Sequence, residues 1–249
     1  MNVTATRALV TGGSGGIGAA ICRRLGLAGY FVYVHAHRGS AAAQAVAEDI
    51  VKAGGAAATV HFDLTDAAAT GNAVEKLLQD GPVQVLVNNA GVHDDAAFPG
   101  MSAAQWHRVI DLSVNGFYNV TQPLMLPMIR TRWGRIISIS SVTALTGNRG
   151  QVNYAAAKGA LHAATKALSL EVASRGITVN VVAPGPVAET TTADAALDQD
   201  GRRRQAGQAA LGRLASPDDV ARAVAFYAGD DSAFITGTTA PVNGGLAMD

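Results

Sequence analysis

Short runs of apolar residues alternate with helical patterns along the whole chain, and this alternation constrains the fold more than any other feature. The runs have the length of strands and are filled mostly by Val, Ile and Leu. They cover Arg7–Thr11, Phe31–His35, Ala57–Phe62, Val83–Asn88, Gly134–Ser140, Ile177–Ala183 and Thr238–Val242. The helices predicted between them cover Gly16–Ala28, Ser40–Ala53, Asp66–Gln79, Ala103–Arg130, Gln151–Ser174 and Pro217–Gly229. The order predicts an α/β fold with three layers, in which a doubly wound parallel sheet is covered by helices on both faces.

Length and composition predict a single domain over residues 1–249. No linker interrupts the chain, and 49% hydrophobic against 15% charged residues exclude an intrinsically disordered protein. Nineteen basic and nineteen acidic residues cancel, so nothing indicates a nucleic-acid partner. Because the chain has neither a secretory signal pattern nor a run of about 18 apolar residues, we expect a soluble cytoplasmic protein without membrane association.

Two segments receive simple interpretations. The single cysteine, Cys22, lies in an apolar helical pattern and is predicted to be a buried small hydrophobe. We expect no metal site. The stretch from about 187 to 214 has no clear apolar period and is predicted to be a lid, in which Arg202, Arg203 and Arg204 form a solvated face or hold an anionic substrate tail.

A glycine-rich segment at residues 11–18 follows the first strand and opens the first helix. Glycine lets a pyrophosphate approach the main chain, and a helix N-terminus offers amide donors and the positive end of the helix dipole. The spacing fits G-x-G-x-x-G starting at Gly13 and also T-G-x-x-x-G-x-G starting at Thr11, so the spacing alone leaves both registers open. The strand-turn-helix context predicts a dinucleotide site. Its candidate residues here are Gly12, Ser14, Gly15, Gly16, Ile17 and Gly18.

The end of the second strand carries a cation where an acid is usual. NAD-preferring sites place Asp or Glu there to bind the ribose 2′-hydroxyl, whereas this chain has His37 and Arg38. Arg38 can hold a 2′-phosphate with two parallel hydrogen bonds, which predicts NADP(H); an exposed arginine at a strand end is the alternative. Asp63 and Leu64, after the third strand, fit an adenine contact or a helix cap.

Tyr154 and Lys158 stand four residues apart in an alanine-rich segment, so on a helix they share one face. An ammonium beside a phenol stabilises the phenolate, and we therefore expect Lys158 to lower the pKa of Tyr154. Alone, the pair fits a surface helix, Ser141 fits a hydroxyl at a strand end, and Asn115 fits a polar helix residue. Together with the glycine loop they indicate a reactive site.

The order of these motifs carries a family resemblance. The glycine loop, residues 88–91, Asn115, Ser141, Tyr154, Lys158 and Pro184-Gly185 follow one another as in the short-chain dehydrogenase/reductase family, which the chain resembles along its whole length. The resemblance implies a Rossmann-type fold and the glycine register with Gly12, Gly16 and Gly18. It implies a catalytic tetrad of Asn115, Ser141, Tyr154 and Lys158. It implies further cofactor contacts from Asn89, Ala90, Gly91, Tyr154, Lys158, Pro184, Gly185 and Val187.

Within the family the chain resembles the 3-oxoacyl-acyl-carrier-protein reductases, through residues 147–154, 174–180 and 242–245. A narrower resemblance, to reductases of aryl-polyene pigment pathways, rests on residues 35–38, 95–99 and 117–120. These resemblances imply NADPH-dependent reduction of a 3-oxoacyl thioester, an acyl-carrier protein as partner, and a homotetramer. Arg132 and Arg175 resemble carrier-protein contacts and fit ordinary surface charges equally well. The alternatives are another ketone or secondary alcohol as substrate, or a protein that binds the cofactor without chemistry.

In the mechanism that the resemblance implies, Ser141 and Tyr154 bind the ketone oxygen and Tyr154 donates its proton. Lys158 would hold the nicotinamide ribose, and Asn115 would position a water that resupplies protons. Three positions depart from the family pattern. Gly15 stands where a cation is frequent, and Asp94 stands where many relatives carry a basic residue. Glu189 stands where relatives usually have a threonine that contacts the nicotinamide; in this chain the threonine, Thr190, comes one residue later.

Overall fold

Seven strands form one parallel sheet, as predicted, and they stand in the order β3-β2-β1-β4-β5-β6-β7. The computed structural model describes residues 5–188 and 199–248. The strands are β1 (Arg7–Val10), β2 (Phe31–Ala36), β3 (Ala56–His61), β4 (Val85–Asn88), β5 (Gly134–Ile139), β6 (Ile177–Pro184) and β7 (Thr239–Val242). The helices are α1 (Gly16–Leu27), α2 (Ser40–Lys52), α3 (Ala67–Gln79), α4 (Ala103–Ile110), α5 (Gly116–Thr131), α6 (Thr143–Thr146), α7 (Val152–Val172), α8 (Gln199–Gln208) and α9 (Pro217–Ala228).

The winding direction reverses between β1 and β4. The chain starts in the middle of the sheet, builds β2 and β3 on one side, and then returns to build β4 to β7 on the other. In a sheet of this kind, the crevice at the carboxyl ends of the strands where the direction reverses is the usual ligand site. The fold therefore places the residues that follow β1 and β4 at that crevice.

The sheet has a separate apolar core on each face. On one face Ile21, Leu25 and Val224 of α1 and α9 are fully buried, and on the other face Leu124 and Met128 of α5 are fully buried. Because both faces are covered, the central strands carry apolar residues at consecutive positions, as in Ala8–Val10 and Val85–Val87, instead of alternating with polar residues. This explains why the predicted strands are continuous apolar runs.

The long helix predicted at 103–130 is present, with one irregularity that was not predicted. Its α-helical parts α4 and α5 are joined by a π-helical turn at Asp111–Asn115. A π turn widens the helix locally, and no periodicity in the sequence revealed it. The strand predicted from Val83 begins instead at Val85, although Val83 is buried.

Smaller differences concern helix ends and the lid. Ser102 and Ser216 cap α4 and α9 as expected, each within a reciprocal capping box. Ser40 is wrong as a cap, because it is already the first residue of α2 and Gly39 precedes it. Part of the predicted lid is the helix α8, and the segment 189–198, with Glu189 and Thr190, lies outside the described residues.

Within residues 5–188 and 199–248, no helix combines the length and the apolar character needed to cross a bilayer.

Candidate active site

A cleft of about 970 Å³ opens at the carboxyl ends of the strands, beside the point where the winding reverses. Nearly all of the predicted cofactor residues line it. They are Gly12, Gly15, Gly16, Ile17, Gly18, His37, Arg38, Asp63, Leu64, Asn89, Ala90, Gly91, Tyr154, Lys158, Pro184, Gly185 and Val187, joined by Ser141. Ser14 is not among the lining residues; its hydroxyl would lie 3.2 Å from a Cβ at Gly39, so it faces the end of β2 instead.

The glycine loop is tight at some positions and open at others. Gly12 has a φ of +63°, which favours glycine. A Cβ at Gly18 would overlap the Gly12 carbonyl oxygen, whereas a Cβ at Gly15 would have no neighbour nearer than 3.9 Å. The loop therefore requires Gly12 and Gly18 and leaves room at Gly15, and a Cβ at Gly13 would lie only 2.9 Å from the Cys22 Sγ. Gly12 belongs only to the T-G-x-x-x-G-x-G register and Gly13 only to the G-x-G-x-x-G register, so the tight positions fit both registers. A phosphate-sized group can approach this backbone closely, as the predicted cofactor needs.

Residues after β4 hold the glycine loop in place. The Asn89 side-chain amide donates to the carbonyl oxygens of Thr11 and Gly12 at 2.9 and 3.1 Å. The backbone amides of Asn89 and Ala90 both donate to the Thr11 hydroxyl at 3.0 Å. The two strands that flank the reversal are thus tied together at the floor of the cleft.

His35, which was not predicted as a site residue, anchors the same loop from β2. Its Nδ1 accepts the Gly12 amide at 3.1 Å, and its Nε2–H donates to the Phe62 carbonyl at 3.0 Å. Burial lowers the pKa of His35 to about 4, so the ring is neutral in this arrangement. A histidine inside an otherwise apolar strand was the signal available in the sequence.

A guanidinium, an imidazole and a carboxylate meet where the second and third strands end. His37, Arg38 and Asp63 all line the cleft, and the His37 Nε2 lies 3.7 Å from Asp63 Oδ2. Hydrogen bonds from Thr65 lower the pKa of Asp63, and His37 and Arg38 lower it further. A guanidinium and an imidazole at this strand end fit a 2′-phosphate, which needs donors and positive charge.

Lys158 and Tyr154 lie at the other end of the cleft, on one face of α7 as predicted. Lys158 is only 3% exposed, and its ammonium donates to the Ile139 carbonyl at 2.8 Å. Burial lowers the pKa of Lys158 to about 8. A Cβ at Gly91 would lie 3.0 Å from the Lys158 Nζ, so glycine at this position leaves the room that the ammonium occupies.

The expected effect of Lys158 on the Tyr154 pKa is wrong in this structure. Lys158 Nζ lies 5.7 Å from the Tyr154 ring centroid, and its hydrogen bond goes to Ile139. Burial raises the pKa of Tyr154, a hydrogen bond with Ser141 lowers it, and the negative charge of Asp95 raises it. The Ser141 oxygen also accepts the Thr143 amide at 3.2 Å. Ser141 is therefore the side chain that favours the phenolate here.

Asn115 does not join the other three predicted catalytic residues. It is exposed at the end of the π turn, it is absent from the cleft lining, and its amide donates to Asp111 at 2.8 Å. Ser113 of the same turn is only 4% exposed, and its hydroxyl has no hydrogen-bond partner among the described residues. A Cβ at Gly91 would contact both Lys158 and Ser113, so these two side chains flank Gly91. The π turn thus directs Ser113, not Asn115, towards Lys158.

The substrate side of the cleft contains polar residues that sequence reasoning missed. The His93 ring packs edge-on against Tyr154 with 6.3 Å between centroids, and its Nδ1 lies 3.3 Å from Asp95 Oδ1. The Gln151 amide donates to Asp95 at 2.8 Å. Asp94, noted above for its acidic character, is paired with Arg108 at 3.2 Å, so its charge is partly compensated.

Comparison with known proteins agrees with this geometry. The sequence profile described as short chain dehydrogenase matches residues 6–201. The chain belongs to the short-chain dehydrogenase/reductase family. It is 41% identical over 246 residues to the acetoacetyl-CoA reductase of Allochromatium vinosum, covering 97% of this chain and 98% of that one. It is 42% identical over 243 residues to the 3-oxoacyl-[acyl-carrier-protein] reductase FabG of Aggregatibacter actinomycetemcomitans, covering 96% and 98%. FabG of Escherichia coli K12 is 41% identical over 249 residues, the whole of both chains.

The two arginines predicted to contact a carrier protein lie at the opposite end of the sheet from the cleft. Arg132 donates to the Ser174 carbonyl at 3.3 Å, and Arg175 lies in the short turn that follows α7. Both are exposed, and each stands two residues before the first residue of a strand, β5 or β6. They therefore lie together at the amino ends of the strands, whereas the cleft lies at the carboxyl ends, about 20 Å away for a strand of six residues.

Proposed function

We propose that this short-chain dehydrogenase/reductase reduces the ketone of a 3-oxoacyl thioester with NADPH, and that an acyl-carrier protein presents the thioester. The observation that carries the proposal is the convergence of Ser141, Tyr154 and Lys158 at one end of a cleft whose other end fits a dinucleotide. Full-length relatives at 41% and 42% identity named 3-oxoacyl-[acyl-carrier-protein] reductase support this substrate class.

When bound, NADPH supplies the hydride for the ketone carbon. Ser141 and Tyr154 would donate hydrogen bonds to the ketone oxygen, and each such donor, aimed at a developing oxyanion, stabilises the transition state by about 2.7 to 4 kcal/mol. Tyr154 would then transfer its proton to that oxygen as a general acid. Burial favours the protonated phenol, the form that has a proton to give.

Lys158 would bind the hydroxyls of the nicotinamide ribose. Its ammonium is already oriented, because the Ile139 carbonyl accepts one of its three protons and the side chain is buried. Ser113, beside Lys158, would take the place in proton supply that the sequence assigned to Asn115.

The preference for NADPH over NADH rests on Arg38, with His37 as a second donor. Both line the cleft where the adenosine ribose of a Rossmann cofactor lies, and the first residues after β2 include no carboxylate. Asp63 accepts two hydrogen bonds from Thr65, so its charge does not fully cancel that of Arg38.

A second candidate is reduction of a 3-oxoacyl group carried on coenzyme A. The observation in its favour is the relative named acetoacetyl-CoA reductase, 41% identical over nearly the whole of both chains.

We further propose a cytoplasmic homotetramer. Exposed apolar side chains on α5 and α7, including Tyr118, Leu126 and Leu170, would pack against the same helices of neighbouring subunits. Light scattering coupled to gel filtration tests this: the proposal requires a mass close to four chains of 25.3 kDa.

The deciding experiment measures reduced-cofactor absorbance with acetoacetyl groups on acyl-carrier protein and on coenzyme A, each with NADPH and with NADH. Faster turnover of the carrier-protein thioester with NADPH would support the first candidate, and faster turnover of the coenzyme A thioester the second. No turnover of either thioester would refute both. Tyr154→Phe serves as the inactive control, because it keeps the ring but lacks the proton to donate.

A further inference from the structure

A chain of hydrogen bonds runs from β7 to the backbone of Lys158 through His162. The Ser140 hydroxyl donates to the Lys158 carbonyl at 3.0 Å. The His162 Nε2 lies 2.6 Å from the same Ser140 oxygen, and the His162 Nδ1 lies 3.3 Å from the Thr239 hydroxyl. The chain thus joins three elements, β5, α7 and β7, directly behind the proposed catalytic residues.

The chemistry of the partners determines which atom carries each proton. A carbonyl oxygen only accepts, so the Ser140 proton points to Lys158 and the Ser140 oxygen must accept from His162 Nε2–H. In the neutral ring with this Nε2–H, Nδ1 is unprotonated and accepts from the Thr239 hydroxyl. The arrangement thus places a proton on His162 Nε2 and gives the Ser140 hydroxyl one direction.

The hydrogen-bond chain lies next to two of the proposed site residues, Ser141 and Lys158. Ser140 immediately precedes Ser141, and it is 3% exposed, as is Lys158. Lys158 contacts the end of β5 twice, through its ammonium to the Ile139 carbonyl and through its own carbonyl to the Ser140 hydroxyl. His162 stands one turn after Lys158 on α7 and holds the rotamer of Ser140 that makes the second contact.

Given the proposed reaction, on which this inference depends, we propose that His162 is a positioning residue for Ser141 and Lys158. Without its ring, the Ser140 hydroxyl loses the donor that orients it and can rotate away from the Lys158 carbonyl. The end of β5 then loses one of its hydrogen bonds to α7, and the Ser141 hydroxyl moves relative to Tyr154. A small displacement of a group that must meet the ketone oxygen lowers turnover more than it lowers binding.

Two amide variants of His162 separate its hydrogen bond to Ser140 from its hydrogen bond to Thr239. The substitution His162→Gln places an amide nitrogen where the imidazole has Nε2, so it keeps the donor to Ser140. The substitution His162→Asn reproduces the position of Nδ1, so it keeps a partner for Thr239 but not for Ser140. His162→Leu removes both contacts at similar volume, and His107→Leu on the exposed face of α4 is the matched control.

Steady-state kinetics on the full-length enzyme with an acetoacetyl thioester and NADPH tests the proposal. We expect His162→Leu and His162→Asn to lower kcat about tenfold, as for loss of one hydrogen bond, with KM changed by less than about threefold. His162→Gln should recover most of kcat, and Ser140→Ala should lower kcat without a further loss in the double variant with His162→Leu. A wild-type kcat in His162→Leu, or additive losses in the double variant, would overturn it.

A second measurement does not depend on the substrate. The ¹⁵N shifts of the His162 ring in the wild-type enzyme should show the Nε2–H tautomer, and Ser140→Ala should change them. The Nδ1–H tautomer would overturn the proposal even if turnover is normal. If the wild-type enzyme turns over neither thioester, the proposed function fails, and this measurement still decides the hydrogen-bond arrangement.

Discussion

The Lys158 ammonium donates a hydrogen bond to the Ile139 carbonyl at 2.8 Å, inside a pocket that leaves the lysine 3% exposed. Burial lowers its pKa to about 8, so at pH 7 the folded protein holds a charge in a place that disfavours it. The shift from 10.5 to about 8 corresponds to a destabilisation of about 3 kcal/mol at neutral pH. This destabilisation disappears as the pH rises from 8 towards 10.5, because Lys158 loses its proton in the folded protein while the unfolded chain still keeps it.

From this relationship we predict that Lys158→Met is as stable as the wild type or more stable, yet inactive. The substitution removes the buried charge and keeps an unbranched side chain. Thermal unfolding at pH 7 should show an unchanged or higher midpoint, while kcat/KM falls at least about 100-fold, as when one preorganised donor is lost. A midpoint clearly below that of the wild type would mean that the bond to Ile139 outweighs the desolvation of the charge.

Arg38→Ala should affect one cofactor and spare the other. The side chain is proposed to bind the 2′-phosphate, a group that NADH lacks. We expect the KM for NADPH to rise about 10-fold to 100-fold, as for loss of a charge-assisted hydrogen bond. The KM for NADH should change little. Arg23→Ala, which removes only the exposed ion pair with Asp49, is the matched control. Equal losses with both cofactors would contradict the assignment.

Two glycines near the start of α1 should respond oppositely to a methyl group. At Gly15 a Cβ has no neighbour nearer than 3.9 Å and φ is −93°, so Gly15→Ala should bind NADPH with an affinity within about twofold of the wild type. Gly18→Ala would overlap the Gly12 carbonyl and should abolish binding or folding. Fluorescence titration with NADPH and thermal unfolding check both variants. Impaired binding in Gly15→Ala would instead support the other glycine register.

His35 should make stability fall in mild acid. Its pKa is about 4 in the folded protein against 6.5 for an ordinary histidine, so the unfolded chain binds a proton first as the pH drops below 6.5. Between pH 6.5 and 4 this costs about 3 kcal/mol of the free energy of unfolding, and above pH 6.5 the effect is absent. His35→Asn keeps an acceptor near Nδ1 but does not titrate. Urea unfolding from pH 7.5 to about 4.5 should show a shallower loss for this variant, and parallel curves would disprove the assignment.

Asn115→Ala should be nearly silent. The side chain is exposed and bonds to Asp111 on its own turn, so we expect kcat within about twofold of the wild type, as for an ordinary surface substitution. Ser113→Ala, which removes the buried hydroxyl beside Gly91 and Lys158, should have the larger effect. Turnover measured from pH 6 to 9 compares the two. A larger loss in Asn115→Ala would restore the assignment made from the sequence.

The fold was predictable because the central strands are buried on both faces and therefore stand out as apolar runs between helical patterns. The cofactor loop was predictable because only glycine permits the approach of Gly18 to Gly12. The shared face of Tyr154 and Lys158 was predictable from their spacing of four on a helix. In each case the signal lay within a few neighbouring residues.

The site features that the sequence did not predict depend on contacts between distant residues or on irregular backbone. The π turn shifts Ser113 and Asn115 relative to a regular helix, and no local pattern announces such a turn. The roles of His35 and His162 appear only when strands and helices far apart in sequence are brought together. The pKa of Tyr154 depends on burial and on Asp95, and helix spacing contains neither.

The π turn at 111–115 has a consequence for how the chain tolerates changes in length. A turn of this kind accommodates one extra residue while the helices before and after it keep the faces they present to their neighbours. Here α4 packs on α7 and α5 packs on α3. Deleting a single residue from this turn should therefore leave both packings in register, whereas the same deletion in the middle of α5 would rotate everything beyond it by about 100°. The polypeptide can therefore lose a residue beside Lys158 and keep its fold, so the shape of the active site can change there independently of the fold.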